Sequence, residues 1–131
     1  MFISLDHPAI ACFDVQKQAD WYCRNFGMRV IAGNGENPPA MVIGYGDSLL
    51  GGAMIELMPV KDPGADPASI ARFAPGIRHL CLRVSNFDAA YAKLKEIGVV
   101  FTTEPGQAVG SGKTILFRDP EGNELQIVER T

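Results

Sequence analysis

The chain has 131 residues, 47% hydrophobic and 21% charged, which is globular composition and enough for one ordinary domain or two small modules sharing a core. Twelve basic residues against fifteen acidic ones give a net charge of −3, so there is no basic footprint for nucleic acid. No apolar run is long enough to cross a bilayer, and the start "MFISLDHPAI" lacks a basic region followed by a long apolar stretch; a cytoplasmic protein without membrane or nucleic-acid partners is expected.

In chain order, an alternating strand follows Asp6 and runs into Asp14. The side-chain oxygen of Asp14 suits a helix N-cap, where it accepts an orphan backbone N–H. Val15, Ala19, Tyr22 and Phe26 then recur at helical spacing, and Gly27 suits the left-handed residue that closes a helix. Core packing is the expected role of Tyr22. Three strands follow, "MRVIAG", "AMVIGYG" and "AMIELMPV". Residues 61–75, "KDPGADPASIARFAP", read as a linker, in which "DPASIARF" predicts a short helix capped by Asp66 with Pro67 at its first position.

The second part repeats the first. "RHLCLRVSNFDAAYAKLKEIGVVF" aligns with "DHPAIACFDVQKQADWYCRNFGMRVI", setting His79 on His7, Asn86 on Asp14 and, after a one-residue slip, Gly98 on Gly27. Phe87, Ala90, Tyr91, Leu94 and Ile97 mark the second helix, and "VVFTTE", "KTILFRD" and "ELQIVER" are its three following strands. The reading is therefore an α+β protein of two tandem βαβββ modules, about 1–60 and about 76–131, in one domain. Two look-alikes are excluded. "GQAVGSGKT" has five residues between Gly106 and Gly112 where a phosphate-binding loop needs four, and a strand follows it instead of a helix; it reads as a flexible hairpin loop. Cys12, Cys23 and Cys81 are odd in number and form no CxxC pair, so buried free thiols are expected.

The repeat also aligns "GGAMIELMP" with "EGNELQIVE", setting Glu56 on Gln126. His7 and His79 thus fall on equivalent first strands, Glu56 and Gln126 on equivalent last strands. Strand alternation puts Met54, Glu56 and Met58 on one face and Ile55 and Leu57 on the other. Alone, a strand histidine is more often a hydrogen-bonded core or surface residue, and a strand glutamate a solvated one. Together, two imidazoles, a carboxylate and an amide oxygen make a shell for a divalent cation such as Zn, Ni, Co, Mn or Fe, with positions left open for substrate. Arg83 shares parity with His79 and is a candidate clamp for a carboxylate or phosphate; a surface arginine at a strand end is the plainer alternative. Glu124 shares a face with Gln126 but matches Met54 in the repeat, so direct ligation by it is not expected.

The motifs "LDHPAIACFDVQKQADWYCRNFGM", "AMIELMP", "GIRHLCLRV" and "FRDPEGNELQIVE" resemble the vicinal oxygen chelate superfamily, the glyoxalase, bleomycin-resistance and extradiol-dioxygenase fold, over nearly the whole chain. The resemblance implies a curled mixed sheet around a metal cleft with helices outside, ligands at His7, Glu56, His79 and Gln126, a small-molecule substrate with vicinal oxygens, and a homodimer. It implies a lyase or isomerase working through an enediolate-type intermediate, with Glu56 as general base. The glyoxalase I pattern ends on a glutamate where this chain has Gln126. Methylmalonyl-CoA epimerase uses two His, one Gln and one Glu, with the Gln and Glu exchanged between modules relative to this chain. The alternatives are a metal-free binding protein of the bleomycin-resistance kind and, with Glu124 as substitute ligand, an extradiol-type dioxygenase.

Overall fold

Asp14 starts the first helix as its chemistry predicts: its Oδ1 accepts the N–H of Lys17 at 2.9 Å, satisfying one orphan donor of the first turn. Helix α1 runs Val15–Phe26 and ends at Gly27, whose φ of 71° is left-handed. Its apolar stripe of Val15, Ala19 and Tyr22 is buried, and Tyr22 is 0% exposed. Trp21, Tyr22 and Phe26 contact one another edge to face. The computed structural model describes residues 1–131, and in it this helix belongs to a first unit, Met1–Pro63.

The sheet of that unit has four strands, β1 (Ala9–Cys12), β2 (Arg29–Gly33), β3 (Met41–Gly44) and β4 (Met54–Pro59), in the order β1-β4-β3-β2. β1 lies parallel to β4, while β4–β3 and β3–β2 are antiparallel. Ile55 and Leu57 of β4 and Ile43 of β3 are buried, as strand alternation predicts for the face opposite Glu56. Burial of each such side chain contributes about 1.5–3 kcal/mol relative to exposure.

The second unit, Gly64–Thr131, repeats this order. Its strands are β5 (Leu80–Arg83), β6 (Gly106–Gln107), β7 (Lys113–Arg118) and β8 (Glu124–Glu129), arranged β5-β8-β7-β6 with β5 parallel to β8. Helix α2 (Phe87–Ile97) is capped by Asn86, which accepts the N–H of Ala89 at 2.9 Å, and closes at Gly98 with φ 79°. The Phe87 N–H donates to Glu129, so the end of β8 also satisfies the start of the helix. Phe87 and Leu94 are buried from this helix; Phe117, Leu125 and Ile127 are buried from the sheet.

Three expectations need correction. "VVFTTE" is not a continuous strand: Phe101 forms a single bridge to Phe117, and the strand on the side of β7 away from β8 is the short β6. The Thr103 hydroxyl takes the Leu116 N–H at 3.0 Å, a side chain standing where a backbone ladder would continue, and Pro105 has no N–H to donate. "DPASIARF" forms only a 3₁₀ turn, Pro67–Ser69. Asp66 does cap it, accepting the Ala68 N–H at 3.0 Å, but the Ser69 hydroxyl bonds back to the Asp66 carbonyl and Ile70 leaves in extended geometry. Of the cysteines, all free, only Cys12 is buried; Cys81 is exposed on β5 because its alternation points it away from the helix-covered face.

The glycine-rich loop forms a hairpin, with the Ala108 N–H bonded to the Gly112 carbonyl at 2.8 Å. Gly112 has φ 101°, and a Cβ there would stand 1.8 Å from the Glu129 carbonyl oxygen, so the glycine serves a close backbone approach. The following turn, "DPEGN", is organised by buried Asp119. Its Oδ1 accepts the N–H groups of Glu121 at 2.9 Å and Asn123 at 3.0 Å, and its Oδ2 accepts from the Asn123 amide at 2.9 Å. Asp119→Ala leaves these donors unpaired and is expected to cost about 2–3 kcal/mol, read as a lower denaturant midpoint at unchanged slope. No helix is long and apolar enough to cross a membrane.

Candidate metal centre

The geometry around His7 and Glu56 is set by the β1–β4 pair. The Glu56 N–H donates to the Pro8 carbonyl at 3.0 Å, and the register continues with Ala9 opposite Glu56. Proline is tolerated here because the strand is at the sheet edge and just beginning. This pairing holds His7 beside Glu56, with Nε2 3.6 Å from Oε2. On the other side of the ring, Nδ1 lies 2.6 Å from Oδ2 of Asp6. Both facing side chains are about one-third exposed, His7 at 34% and Glu56 at 36%, so the pair is reachable from solvent.

This arrangement presents electron pairs. A neutral His7 that donates Nδ1–H to Asp6 keeps its Nε2 lone pair pointed at a carboxylate. Two electron-rich atoms at 3.6 Å repel unless a proton or a metal cation sits with them. Metal–nitrogen and metal–oxygen bonds of about 2.0–2.2 Å are compatible with that donor separation, and a carboxylate behind the ring is the usual support for a ligating histidine. His7 and Glu56 thus offer two donors of the kind a divalent cation takes, and no group of three or more His, Cys, Asp or Glu side chains gathers around them. Without a cation, the hydrogen bond to Asp6 is the largest influence on His7 and raises its pKa above the usual value; desolvation opposes this, while the charges of Asp6 and Glu56 add to it.

The second unit repeats the register. Cys81 pairs with Gln126 in the parallel β5–β8 ladder as Ala9 pairs with Glu56, and His79 precedes Cys81 by two residues as His7 precedes Ala9. Gln126 also sits opposite Leu116 and is half-buried; His79 is exposed. The structure thus brings His7 and Glu56 together directly, and places His79 and Gln126 at the equivalent positions of their own sheet. Arg83 lies two residues beyond Cys81, opposite Val128, exposed.

Glu124 is committed elsewhere. Its side chain is 8% exposed, accepts the Thr102 hydroxyl at 2.7 Å, and lies 3.8 Å from Nε of Arg72, whose Nη2 donates to the Thr102 carbonyl. A carboxylate held this way ties Arg72 to the sheet of the second unit, which removes the support for a dioxygenase-type ligand set built on Glu124. Glu124→Gln is expected to leave metal affinity within twofold and to lower stability by about 1–2 kcal/mol, measured by metal titration and thermal unfolding of the same preparation. Asp6, by contrast, was not anticipated. The adjacent pair "DH" carries the only signal, and adjacency alone does not say that the carboxylate turns back onto Nδ1.

The model of the Glyoxalase/Bleomycin resistance protein/Dioxygenase superfamily matches residues 4–127. With this match and the paired βαβββ sheets, the chain belongs to that superfamily. It is similar to the uncharacterized protein YwkD of Bacillus subtilis (strain 168), 33% identical over 97% of each chain. It is also similar to the lactoylglutathione lyase of Escherichia coli O157:H7, 28% identical over 94% of this chain and 90% of that one. Among solved structures, SMU.1112c superposes with a TM-score of 0.72 at 25% identity, covering 98% of this chain and 100% of that one.

Proposed function

We propose that the protein is a divalent-metal-dependent lyase or isomerase acting on a small substrate with vicinal oxygens. In this reading His7, Glu56, His79 and Gln126 hold the cation, whether one chain or two copies in a dimer supply the shell. The observation that supports it is the Nε2–Oε2 approach of His7 and Glu56 at 3.6 Å with Asp6 behind the ring; the backbone register of the second unit sets His79 and Gln126 at the equivalent positions. When bound, the cation supplies Lewis acidity that stabilises negative charge developing on the substrate oxygens.

The protein's own part is proton movement and orientation. Glu56 is the one carboxylate of the set and accepts a proton from the carbon beside a substrate carbonyl, then returns it to the neighbouring carbon. Gln126 binds through its amide oxygen and stays neutral, because an amide is not usefully basic. Asp6 keeps the His7 ring in the tautomer that offers Nε2. Arg83 is assigned the softer role of meeting an anionic group of the substrate.

Metal analysis of wild type and His79→Ala, both purified without chelator, tests the shell; full occupancy in the variant overturns it. A screen of hemithioacetals, 2-oxoacids and acyl-CoA epimers tests the chemistry. A loaded site with no turnover in that screen favours the second reading, a non-catalytic binding protein, which the amide at position 126 supports.

A further inference from the structure

A cavity of about 670 Å³ opens in the first unit, within the size range of small-molecule sites. Its floor includes Ala11 and Met58, which pair with each other across β1 and β4 two rungs beyond Ala9 and Glu56. Residues two apart on a strand share a face, so this floor continues the surface that carries Glu56, about 6–7 Å along the strand. The far wall is the loop between β2 and β3. Asn34 shapes it by accepting the N–H groups of Glu36 at 3.1 Å and Ala40 at 3.0 Å, and its own N–H bonds to the Ala40 carbonyl. The wall is therefore built before any ligand arrives.

Pro38 extends the apolar lining, and three charged residues stand in it: Glu36, Lys61 and Asp62. Lys61 is the single cation and has no carboxylate within 4 Å. One lysine attracts one negative charge, while two carboxylates in the same lining repel any further ones. An apolar floor with one free cation in the lining suits an apolar body carrying a single anion. It does not suit a phosphate-rich carrier such as a coenzyme A thioester, whose several charges would meet Glu36 and Asp62.

We infer that this cavity is the substrate-tail subsite of the Glu56 face, and that Lys61 selects an apolar monocarboxylate over a polyanionic carrier. The inference rests on the metal-dependent reading for its head group only; the tail subsite is testable without metal. In metal-free protein with labelled methionine methyls, titration with octanoate is expected to shift the Met58 signal saturably. Lys61→Ala is expected to weaken octanoate at least fivefold, Lys61→Arg to stay within twofold, and octanol to bind wild type and Lys61→Ala alike. Octanoyl-CoA is expected to bind no more tightly than octanoate. A Met58 signal that does not move, an octanoate affinity unchanged by Lys61→Ala, or a coenzyme A thioester that binds more tightly overturns the inference. With metal added, acetohydroxamate probes the chelating end alone: its failure to bind while octanoate still shifts Met58 sinks the metal reading and leaves the subsite standing.

Discussion

His7→Ala is expected to lower divalent-metal affinity at least 100-fold while leaving the circular dichroism spectrum and unfolding midpoint close to wild type. His7 precedes β1 and is one-third exposed, so its removal opens no core cavity. What it removes is one of the two donor atoms that the β1–β4 register holds 3.6 Å apart. Glu56→Gln keeps shape and hydrogen-bonding capacity but loses the negative charge, and is expected to weaken binding at least tenfold and to abolish any turnover. Asp6→Asn removes the carboxylate behind the ring and is expected to cost about tenfold, the lower end of the range for second-sphere partners. The graded order His7→Ala, Glu56→Gln, Asp6→Asn is the discriminating feature in a calorimetric titration with Ni²⁺ or Zn²⁺. Equal affinities across the three variants would place the metal elsewhere.

Much of this geometry is legible in the sequence because the chain states it twice. Asp14 and Asn86 cap helices, Gly27 and Gly98 close them, and the same four-strand order follows from equivalent patterns. The register that pairs Ala9 with Glu56 and Cys81 with Gln126 is the physical content of the sequence alignment between the two copies. The parts that were not legible depend on side chains returning to the backbone or arriving from afar. Thr103 captures the Leu116 N–H and breaks the strand that hydropathy alternation predicts at "VVFTTE". Arg72 comes from the linker to meet Glu124, a pairing across 52 positions that no local pattern encodes. Asp119 looks like a turn residue in "DPEGN", yet it is buried and satisfies three donors, which makes that motif a structural device ahead of the strand that carries Gln126.

Metal affinity is expected to fall as pH falls through the raised pKa of His7, and to do so at a higher pH than an ordinary histidine would require. The ring ligates only when neutral, so protons and metal compete for Nε2. Because Asp6 and Glu56 favour the imidazolium, the competition begins above the usual value of 6.5. Below the folded-state pKa, affinity drops about tenfold per pH unit for each imidazole proton displaced. The sign for the metal-free protein is opposite. A raised folded-state pKa means that the Asp6–His7 contact stabilises the fold fully below the unfolded value, and that this contribution disappears as pH rises through the folded one. Loaded and metal-free protein should therefore respond to acid in opposite directions at this residue. Asp6→Asn removes the largest cause of the shift, so its affinity–pH curve should break at lower pH than wild type, with a lower plateau above the break. Titrations between about pH 5.5 and 8, with the His7 ring proton followed by NMR in the metal-free protein, measure both. A break at the same pH in wild type and Asp6→Asn would show that Asp6 does not set the protonation of the ligand, and the role given to it behind the His7 ring would fail.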